Sequence, residues 1–385
     1  MRARRSFAPG FWLGVGAVFL AGVVPAASDG PLAIPQGKLS ADQIQALYRQ
    51  ILTRWSGEGG NQAADDLIAL ETAVVEDADP RTKRALLKAE QVVIHEVGQV
   101  DLEVLVPIAM LHHEAYRRHL EIGERGRALA MAHTRQMARD LALLYWEQSG
   151  SEGAGRVAGE VLTSLGGMLQ ENAQQLPAAE LFQQAVQLDG RNATALLGLA
   201  TIYEKNAQYE TTVKTLRSLL EAEPKHAEGR LRLAVNLRRM GSKDDDAEAR
   251  RLLEALASSD SSWVGPIAVQ ELARLLREEG TLAEAEKVLR AGVARFPDDG
   301  RLAIQLAAVL DRKGSAKEAA ELVEKVLGGG PAGKSVSGRF LYNTVRQDLF
   351  APGRTFLTET SRSRLQMLSQ ALSAAAAGSR EEAGS

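Results

Sequence analysis

The residues best suited to chemistry lie near the end of the chain, in a stretch that reads LGGGPAGKS. Gly328, Gly333, Lys334 and Ser335 match G-x-x-x-x-G-K-S, the pattern of a loop whose backbone N–H groups and lysine surround nucleotide phosphates. Such a loop follows a strand and belongs to a parallel sheet. The residues before it here have helical spacing, and only 50 residues follow Ser335. We therefore expect no nucleotide site and no other cofactor.

A second candidate is the segment 112–119, which contains His112, His113, Glu114 and His119. A zinc-protease helix spaces two histidines four residues apart with a glutamate between them, whereas His112 and His119 are seven apart. Because arginines follow on the same helix, we expect these histidines to be solvated and predict no metal site. The chain has no cysteine, which excludes thiolate nucleophiles, disulfides and cysteine-based metal sites. No catalytic residue is predicted.

The composition indicates a folded helical protein. Of the 385 residues, 45% are hydrophobic, 25% charged and 5% aromatic. The frequent Ala, Leu, Glu and Arg lose little side-chain entropy in a helix, which favours helix over sheet. A formal net charge of −3 does not supply the basic field that general nucleic-acid binding requires, so no nucleic-acid partner is expected.

Residues 1–28 have the layout of a secretory signal peptide. Arginines at the start precede the apolar run Phe11–Val24, and small residues lead up to Ser28. The run is short for a membrane span, so we expect cleavage after Ser28 and no membrane span in the mature chain. The alternative is an uncleaved N-terminal anchor. Export to the periplasm is predicted, with full secretion as the alternative.

A repeat of 34 residues runs through the second half of the chain. Its units end at a glycine or proline: Gly190, Pro224, Pro297 and Pro331. These markers place five starts, at Gly159, Ala193, Ala227, Pro266 and Gly300. The third unit has five extra residues, which we place in the polar stretch 241–249.

Positions that were not used to align the units support the repeat. Position 7 is always leucine: Leu165, Leu199, Leu233, Leu272 and Leu306. Position 8 is always small: Gly166, Ala200, Ala234, Ala273 and Ala307. Leucines on one helix face form an apolar stripe, and small residues allow two helices to approach closely. Such a hairpin cannot bury its apolar face alone, so the units must stack.

The pattern resembles the tetratricopeptide repeat over residues 159–333, although the usual early Trp is absent and Phe182 is the only aromatic residue near its expected place. The resemblance implies an all-α, right-handed superhelical solenoid of antiparallel helix pairs. It also implies a groove that is lined by the first helix of each unit and binds protein or peptide partners.

The flanks of the repeats also read as helices. Residues 29–39 are a linker, and Ser40 is an expected N-cap. The helices predicted within 40–150 are Ala41–Trp55, Ala63–Glu76, Arg81–Val97, Glu103–Glu121 and Gly126–Gln148. They are expected to be degenerate hairpins that extend the superhelix, and a separate N-terminal domain is the alternative. Residues 334–378 are predicted to form capping helices, and 379–385 a disordered tail.

The resemblance implies that six positions of each first helix face the groove. In the last three units these positions hold seven basic and four acidic residues, a net charge of +3, against −2 in the first two. The candidate partner-binding residues are Arg232, Arg238, Arg274, Arg277, Arg301 and Arg312. Guanidinium groups suit carboxylates of a partner. The alternative is that they pair with neighbouring acids and only keep the surface soluble.

These observations predict an exported scaffold or adaptor, not an enzyme, that binds protein or peptide partners during assembly of the cell envelope. Two alternatives stay open. One is an enzyme with an active or metal site in the N-terminal helical region and the repeats as a docking arm. The other is a polysaccharide assembly or export factor, against which the low aromatic content of the groove counts.

Overall fold

The computed structural model describes residues 30–55, 60–75, 80–98, 102–122, 128–259 and 261–327. Over these ranges the chain forms fifteen α-helices and no strand, which confirms the predicted all-α class of consecutive helix pairs. None of the described helices combines the length and the apolar composition that a membrane crossing requires. The predicted signal peptide, the phosphate-loop match and the predicted capping helices lie outside the described residues.

The described chain forms two compact units that divide after Asn206. The helices of the first unit are α1 Ala41–Trp55, α2 Gly60–Val74, α3 Pro80–Gly98, α4 Leu105–Ile122, α5 Ala128–Ser149, α6 Glu152–Glu171, α7 Gln175–Leu188 and α8 Ala193–Lys205. Those of the second unit are α9 Tyr209–Ala222, α10 Ala227–Met240, α11 Lys243–Ala257, α12 Val264–Glu278, α13 Leu282–Arg295, α14 Gly300–Arg312 and α15 Ala316–Leu327.

The helix α1 has the predicted bounds, and its start shows why. The side chain of Ser40 accepts a hydrogen bond from the Gln43 N–H at 3.3 Å, while the Gln43 side chain accepts one from the Ser40 N–H at 2.9 Å. This reciprocal capping box satisfies two N–H groups that a helix start leaves without partners. The other four helices predicted within 40–150 are also present, with ends that differ by a few residues.

The larger apolar core of the first unit extends from Leu47 in α1 to Ile202 in α8, and a smaller cluster contains Ile44, Val75, Leu86 and Ala89. The helix α4 packs on α5 and α6, and α6 packs on α7 and α8. The helices before the first repeat therefore share a core with it, because each hairpin leaves an apolar face that the next one covers.

Three of the predicted repeat starts coincide with helix starts: α8, α10 and α14 begin at Ala193, Ala227 and Gly300. The first helix of the first repeat, α6, begins at Glu152 and passes through the predicted start Gly159. The cause is an N-cap, because the Ser151 hydroxyl accepts a hydrogen bond from the Ala154 N–H at 3.1 Å. The helix α12 also begins before the predicted repeat start Pro266, a residue that fits the first turn because N–H groups there have no intrahelical partner.

The extra residues of the third repeat are divided between two places. Equivalent buried residues of the second helices are Phe182, Leu216, Leu253 and Leu289, and the intervals between them are 34, 37 and 36 residues. Three extra residues thus precede Leu253, in the predicted stretch, and two follow it, in the loop before α12. The prediction is confirmed for three residues and wrong for two.

The small residues of the repeat lie where helices touch, as predicted. In the first unit the ring of Phe182 on α7 lies between a glycine of α6 and a glycine of α8. A Cβ on Gly166 would lie 2.8 Å from Cε1 of this ring, and one on Gly198 would lie 2.6 Å from Cε2. Side chains larger than hydrogen at either position would push the helices apart.

A left-handed residue after each first helix was not predicted. The residues concerned, with their φ angles, are Ala173 (61°), Ala207 (56°), Gly241 (75°), Gly280 (82°) and Gly314 (92°). They share position 15 of the repeat. Glycine adopts this conformation without steric cost, whereas alanine is strained there.

Candidate functional site

The expected groove face is formed by the first helices of the repeats. In the second unit α10 packs against α12, and α12 packs against α14. This arrangement places the six candidate arginines on one layer of three adjacent helices, two on each. The guanidinium groups of Arg232, Arg238, Arg274 and Arg301 form ion pairs with acidic residues.

Arg238 on α10 is the most enclosed of the six, with a side chain that is 7% exposed. Its Nη1 lies 2.9 Å from Oε2 of Glu271, and its Nη2 lies 2.5 Å from Oε2 of Glu278. Both glutamates belong to α12. Arg238 therefore ties two repeats together, and its guanidinium is already occupied by two carboxylates.

Three other candidates form more exposed ion pairs, and their side chains are between 29% and 43% exposed. Arg232 pairs with Glu228 one turn earlier at 3.0 Å, and Arg274 pairs with Glu271 at 2.5 Å. Arg301 pairs with Asp299, the N-cap of its own helix, at 2.5 Å. Exposed pairs of this kind contribute little to stability, so a partner's carboxylate could replace the acid at small cost.

The last two candidates lie on the same layer. Arg277 is half-buried on α12 and lies one turn after Arg274, while Arg312 is exposed at the end of α14. Nearby, the guanidinium of Arg239 lies 5.5 Å from the ring centre of Tyr209, within cation–π range. Ion pairing within the face does not change its excess of basic over acidic residues.

A second group of polar side chains is buried inside the first unit, where an active or metal site was kept only as an alternative. Glu71 on α2, Glu90 on α3 and His133 on α5 are at most 1% exposed. One side-chain oxygen or nitrogen of each lies within 4.8 Å of the others. The closest contact is a hydrogen bond of 2.6 Å between His133 Nε2 and Glu90 Oε2. We call these three residues, together with His112 and His119, the interior cluster.

His112 and His119, both on α4, lie on either side of the Glu71 carboxylate. Nδ1 of His112 is 3.5 Å from Oε1, and Nε2 of His119 is 3.6 Å from Oε2. The Tyr48 hydroxyl lies 2.8 Å from Nε2 of His112, and the Thr134 hydroxyl donates a hydrogen bond to Oε2 of Glu71 at 2.5 Å. The cluster thus receives contacts from five helices.

The expectation that these histidines are solvated is wrong. His112 and His119 are buried because α4 is covered by α1, α2, α5 and α6. The arginines on the same helix point elsewhere: Arg117 pairs with Glu114, and Arg118 pairs with Asp65 on α2. Residues on different faces of a helix have different surroundings, so exposed arginines on one face do not predict that histidines on another face are exposed.

His113 belongs to a different contact. Its Nε2 lies 2.7 Å from the Ser164 hydroxyl on α6. Burial lowers the pKa of His113 to about 4, so this ring is neutral at pH 7.

The electrostatics of the interior cluster favour an ionised Glu71. Burial by itself raises the pKa of this carboxyl. His112 and His119 at its two oxygens and the charge of His133 have the larger, opposite effect and lower the pKa to about 2. Burial and the nearby carboxylates of Glu90 and Glu71 raise the pKa of Tyr48, so its phenol stays protonated.

Four enclosed atoms of the interior cluster have no hydrogen-bond partner: Glu71 Oε1, Glu90 Oε1, His112 Nδ1 and His119 Nε2. Buried polar atoms without partners are rare in folded proteins and call for an explanation. Spacing could not reveal the cluster, because its residues come from four helices. A weak signal was present in the sequence, since Glu71 interrupts the apolar run LIALETAV.

Comparison with known proteins identifies the repeats. Residues 177–234 and 266–309 each match a family model described as tetratricopeptide repeat. No curated protein matches the chain.

Solved structures with a related arrangement share little sequence with the chain. The tetratricopeptide protein YrrB, described as having an unusual peptide-binding site, is 18% identical, with 43% of this chain and 82% of YrrB covered and a TM-score of 0.37. Pseudomonas aeruginosa pilF is 14% identical, with 57% of this chain and 92% of pilF covered and a TM-score of 0.42. A tetratricopeptide repeat protein from Parabacteroides merdae is 16% identical, with 68% of this chain and 98% of that protein covered and a TM-score of 0.42.

Proposed function

The chain is a tetratricopeptide repeat protein and hence a protein-interaction scaffold, and on that premise we propose that it acts in the cell envelope after export. In this proposal the face formed by α10, α12 and α14 binds an acidic segment of a partner protein. The bound protein is then held for assembly with other envelope components.

The observation that carries the proposal is the layer of three first helices with an excess of arginine over acid. An extended segment that crosses this layer meets guanidinium groups from successive repeats, and each one can bind a carboxylate through two hydrogen bonds. Complementary charge also raises the association rate and selects against basic partners.

The structure ranks the candidate arginines within this proposal. Arg232, Arg274 and Arg301 hold their present acids in partly exposed pairs, so exchange with a partner is inexpensive. Arg238 is enclosed between two glutamates of α12 and serves the stack of repeats instead. A partner is therefore expected to contact the first three and to leave Arg238 in place.

Export rests on the predicted leader, and the residues just beyond it fit that proposal. The Arg54 side chain on α1 donates a hydrogen bond to the carbonyl of Gly30 at 2.9 Å. The Leu32 N–H donates to Oδ1 of Asp66 on α2, also at 2.9 Å. A chain cut after Ser28 would therefore begin almost directly with residues that are held by the fold.

The groove is tested by charge reversal. The chain with Arg232→Glu, Arg274→Glu and Arg301→Glu is compared with the unaltered chain in co-purification from an envelope extract. The retained partner is then made as a synthetic peptide, once with its acidic residues and once with the matching amides. We expect the triple variant to lose at least about tenfold in affinity, and the amide peptide to bind as weakly.

A matched control carries the same change of charge on second helices. Arg217→Glu on α9, Arg251→Glu on α11 and Arg290→Glu on α13 alter exposed residues away from the first-helix layer. This control is expected to keep the partner. Equal loss of binding in both variants, or none in either, would refute binding at the groove.

Export is tested separately, by mass spectrometry of the chain that accumulates in a bacterial host. We expect a mature chain that starts at Asp29 and is found in the periplasm. A charged residue in the middle of the apolar run, as in Val18→Arg, should abolish this processing. Full-length chain confined to the cytoplasm would contradict the proposal.

A further inference from the structure

The interior cluster has the donor atoms of a metal site. It combines two carboxylates with imidazole nitrogens on helices α2 to α5, and helix bundles build metal sites from such residues on facing helices. Four of its donor atoms are enclosed without a hydrogen-bond partner. Isolated acidic clusters are common, but enclosed donor atoms without hydrogen-bond partners are rare.

Two of the distances between donors match the spacing of neighbouring metal ligands. Ligand atoms about 2.1 Å from a tetrahedral metal lie about 3.4 Å from one another. The separations of His112 Nδ1 and His119 Nε2 from the oxygens of Glu71 are 3.5 and 3.6 Å, which are long for hydrogen bonds and right for neighbouring ligands. The Glu90–His133 contact of 2.6 Å is a hydrogen bond, and an ion bound by both groups would separate them.

Charge leads to the same conclusion. Two carboxylates with no exposure to solvent cost several kcal/mol each unless they are compensated. His112 and His119 lie beside Glu71 and His133 lies beside Glu90, and a divalent cation would neutralise both carboxylates together. Imidazole donors select first-row transition metals over Ca²⁺ and Mg²⁺, which prefer oxygen ligands.

We propose that the interior cluster binds one divalent first-row transition-metal ion. Its ligands are Glu71, Glu90 and His133, with His119 and His112 as further nitrogen donors beside Glu71. Because all five residues are buried, the site is closed, and the ion stabilises the first unit rather than reaching solvent.

The surrounding contacts suit this role. A histidine that binds metal through one ring nitrogen usually gives its other N–H to an outer partner, and Tyr48 is in that position for His112. Thr134 similarly orients Glu71 through its hydroxyl. This site lies outside the groove and does not depend on the function proposed for it.

The direct test measures metal content. The full chain, purified without a histidine tag, is stripped with EDTA and dialysed against Zn²⁺, Mn²⁺ or Co²⁺ in turn. We expect about one ion per chain for at least one of these metals, and a rise of several degrees in the unfolding midpoint. Since the chain has no cysteine, visible Co²⁺ absorption would report nitrogen and oxygen ligands. No binding of any of the three ions would overturn the proposal.

Variants then locate the ion. Glu90→Gln and His133→Gln keep size and polarity while removing a ligand, and both are expected to lose stoichiometric binding. Tyr48→Phe should weaken binding about tenfold without abolishing it. The control is His113→Gln, a buried histidine next to His112 that contacts Ser164 instead, and it should bind metal normally. Retention of the ion by both ligand variants would place it elsewhere and overturn the proposal.

If a ligand variant fails to fold, the unaltered chain still provides a test. Crystals of the unaltered chain soaked with Zn²⁺ locate the ion by anomalous scattering. A peak among Glu71, Glu90 and His133 supports the proposal, and a peak only at surface residues refutes it.

Discussion

Arg54 and Asp66 form an ion pair in the interior of the first unit, with Nη1 2.5 Å from Oδ2 and side chains that are 8% and 2% exposed. The same two residues hold the segment before α1, because Arg54 binds the carbonyl of Gly30 and Asp66 accepts from the N–H of Leu32. One buried pair thus joins α1, α2 and the start of the described chain.

Removing one partner of this pair should be costly. Asp66→Ala leaves a buried guanidinium without its carboxylate, and we expect the free energy of unfolding of the first unit to fall by about 3–5 kcal/mol. Chemical denaturation measures this change. The control is Glu96→Ala, which breaks an exposed pair with Arg49 and should cost less than about 1 kcal/mol. Equal costs would show that burial of the Arg54–Asp66 pair is unimportant.

Two adjacent glycines in α6 should respond in opposite ways to alanine. Gly166→Ala places a Cβ against Phe182, whose ring cannot withdraw because Gly198 lies on its other side, so a loss of about 1–3 kcal/mol is expected. Gly167→Ala meets no atom within 4 Å and should stabilise the helix by up to about 1 kcal/mol. Thermal unfolding of the two variants compares them directly. A loss at both positions would contradict this account of the packing.

The strained alanines after the first helices offer a gain in stability. Ala173→Gly and Ala207→Gly relieve a left-handed backbone that glycine adopts freely, and each should stabilise the chain by about 0.5–1 kcal/mol. Gly280→Ala, at the same repeat position, should destabilise it by a similar amount. The unfolding midpoints of single variants provide the check, and a gain from Gly280→Ala would contradict the explanation.

The arginines of the groove face should separate into two kinds. Arg238→Ala removes two charge-assisted hydrogen bonds between α10 and α12, and a loss of about 2 kcal/mol in stability is expected. Arg274→Ala removes an exposed pair and should cost less than about 1 kcal/mol. If Arg274→Ala proved the more destabilising in denaturation, this division would be wrong.

Much of the fold could be predicted because the repeat imposes a periodic local pattern. The leucines at position 7 and the small residues at position 8 determine which faces pack, and the bounds of α1, α8 and α10 follow from such signals together with caps and glycine or proline stops. A helix can also begin before its repeat does. The capping hydroxyl of Ser151 starts α6 at Glu152, seven residues ahead of the predicted repeat start Gly159.

The candidate sites could be predicted only in part. The sequence indicated which arginines share the first helices, because the repeat specifies their positions. It did not show that Arg238 is enclosed by glutamates of the next repeat, since that contact joins residues 33 and 40 positions away. The expectation that His112 and His119 are solvated was wrong for the same reason, since other helices distant in the sequence cover them.

The amino-acid sequence by itself determined the repeat, its helix pairs and the basic character of the last three first helices, because these depend on residues close together in the chain. Only the tertiary structure decided which polar groups are buried together. Glu71, Glu90 and His133 lie on three different helices, and the packing of α2, α3 and α5 brings them within 4.8 Å of one another. Such a site depends on three-dimensional proximity, which no spacing in the sequence encodes.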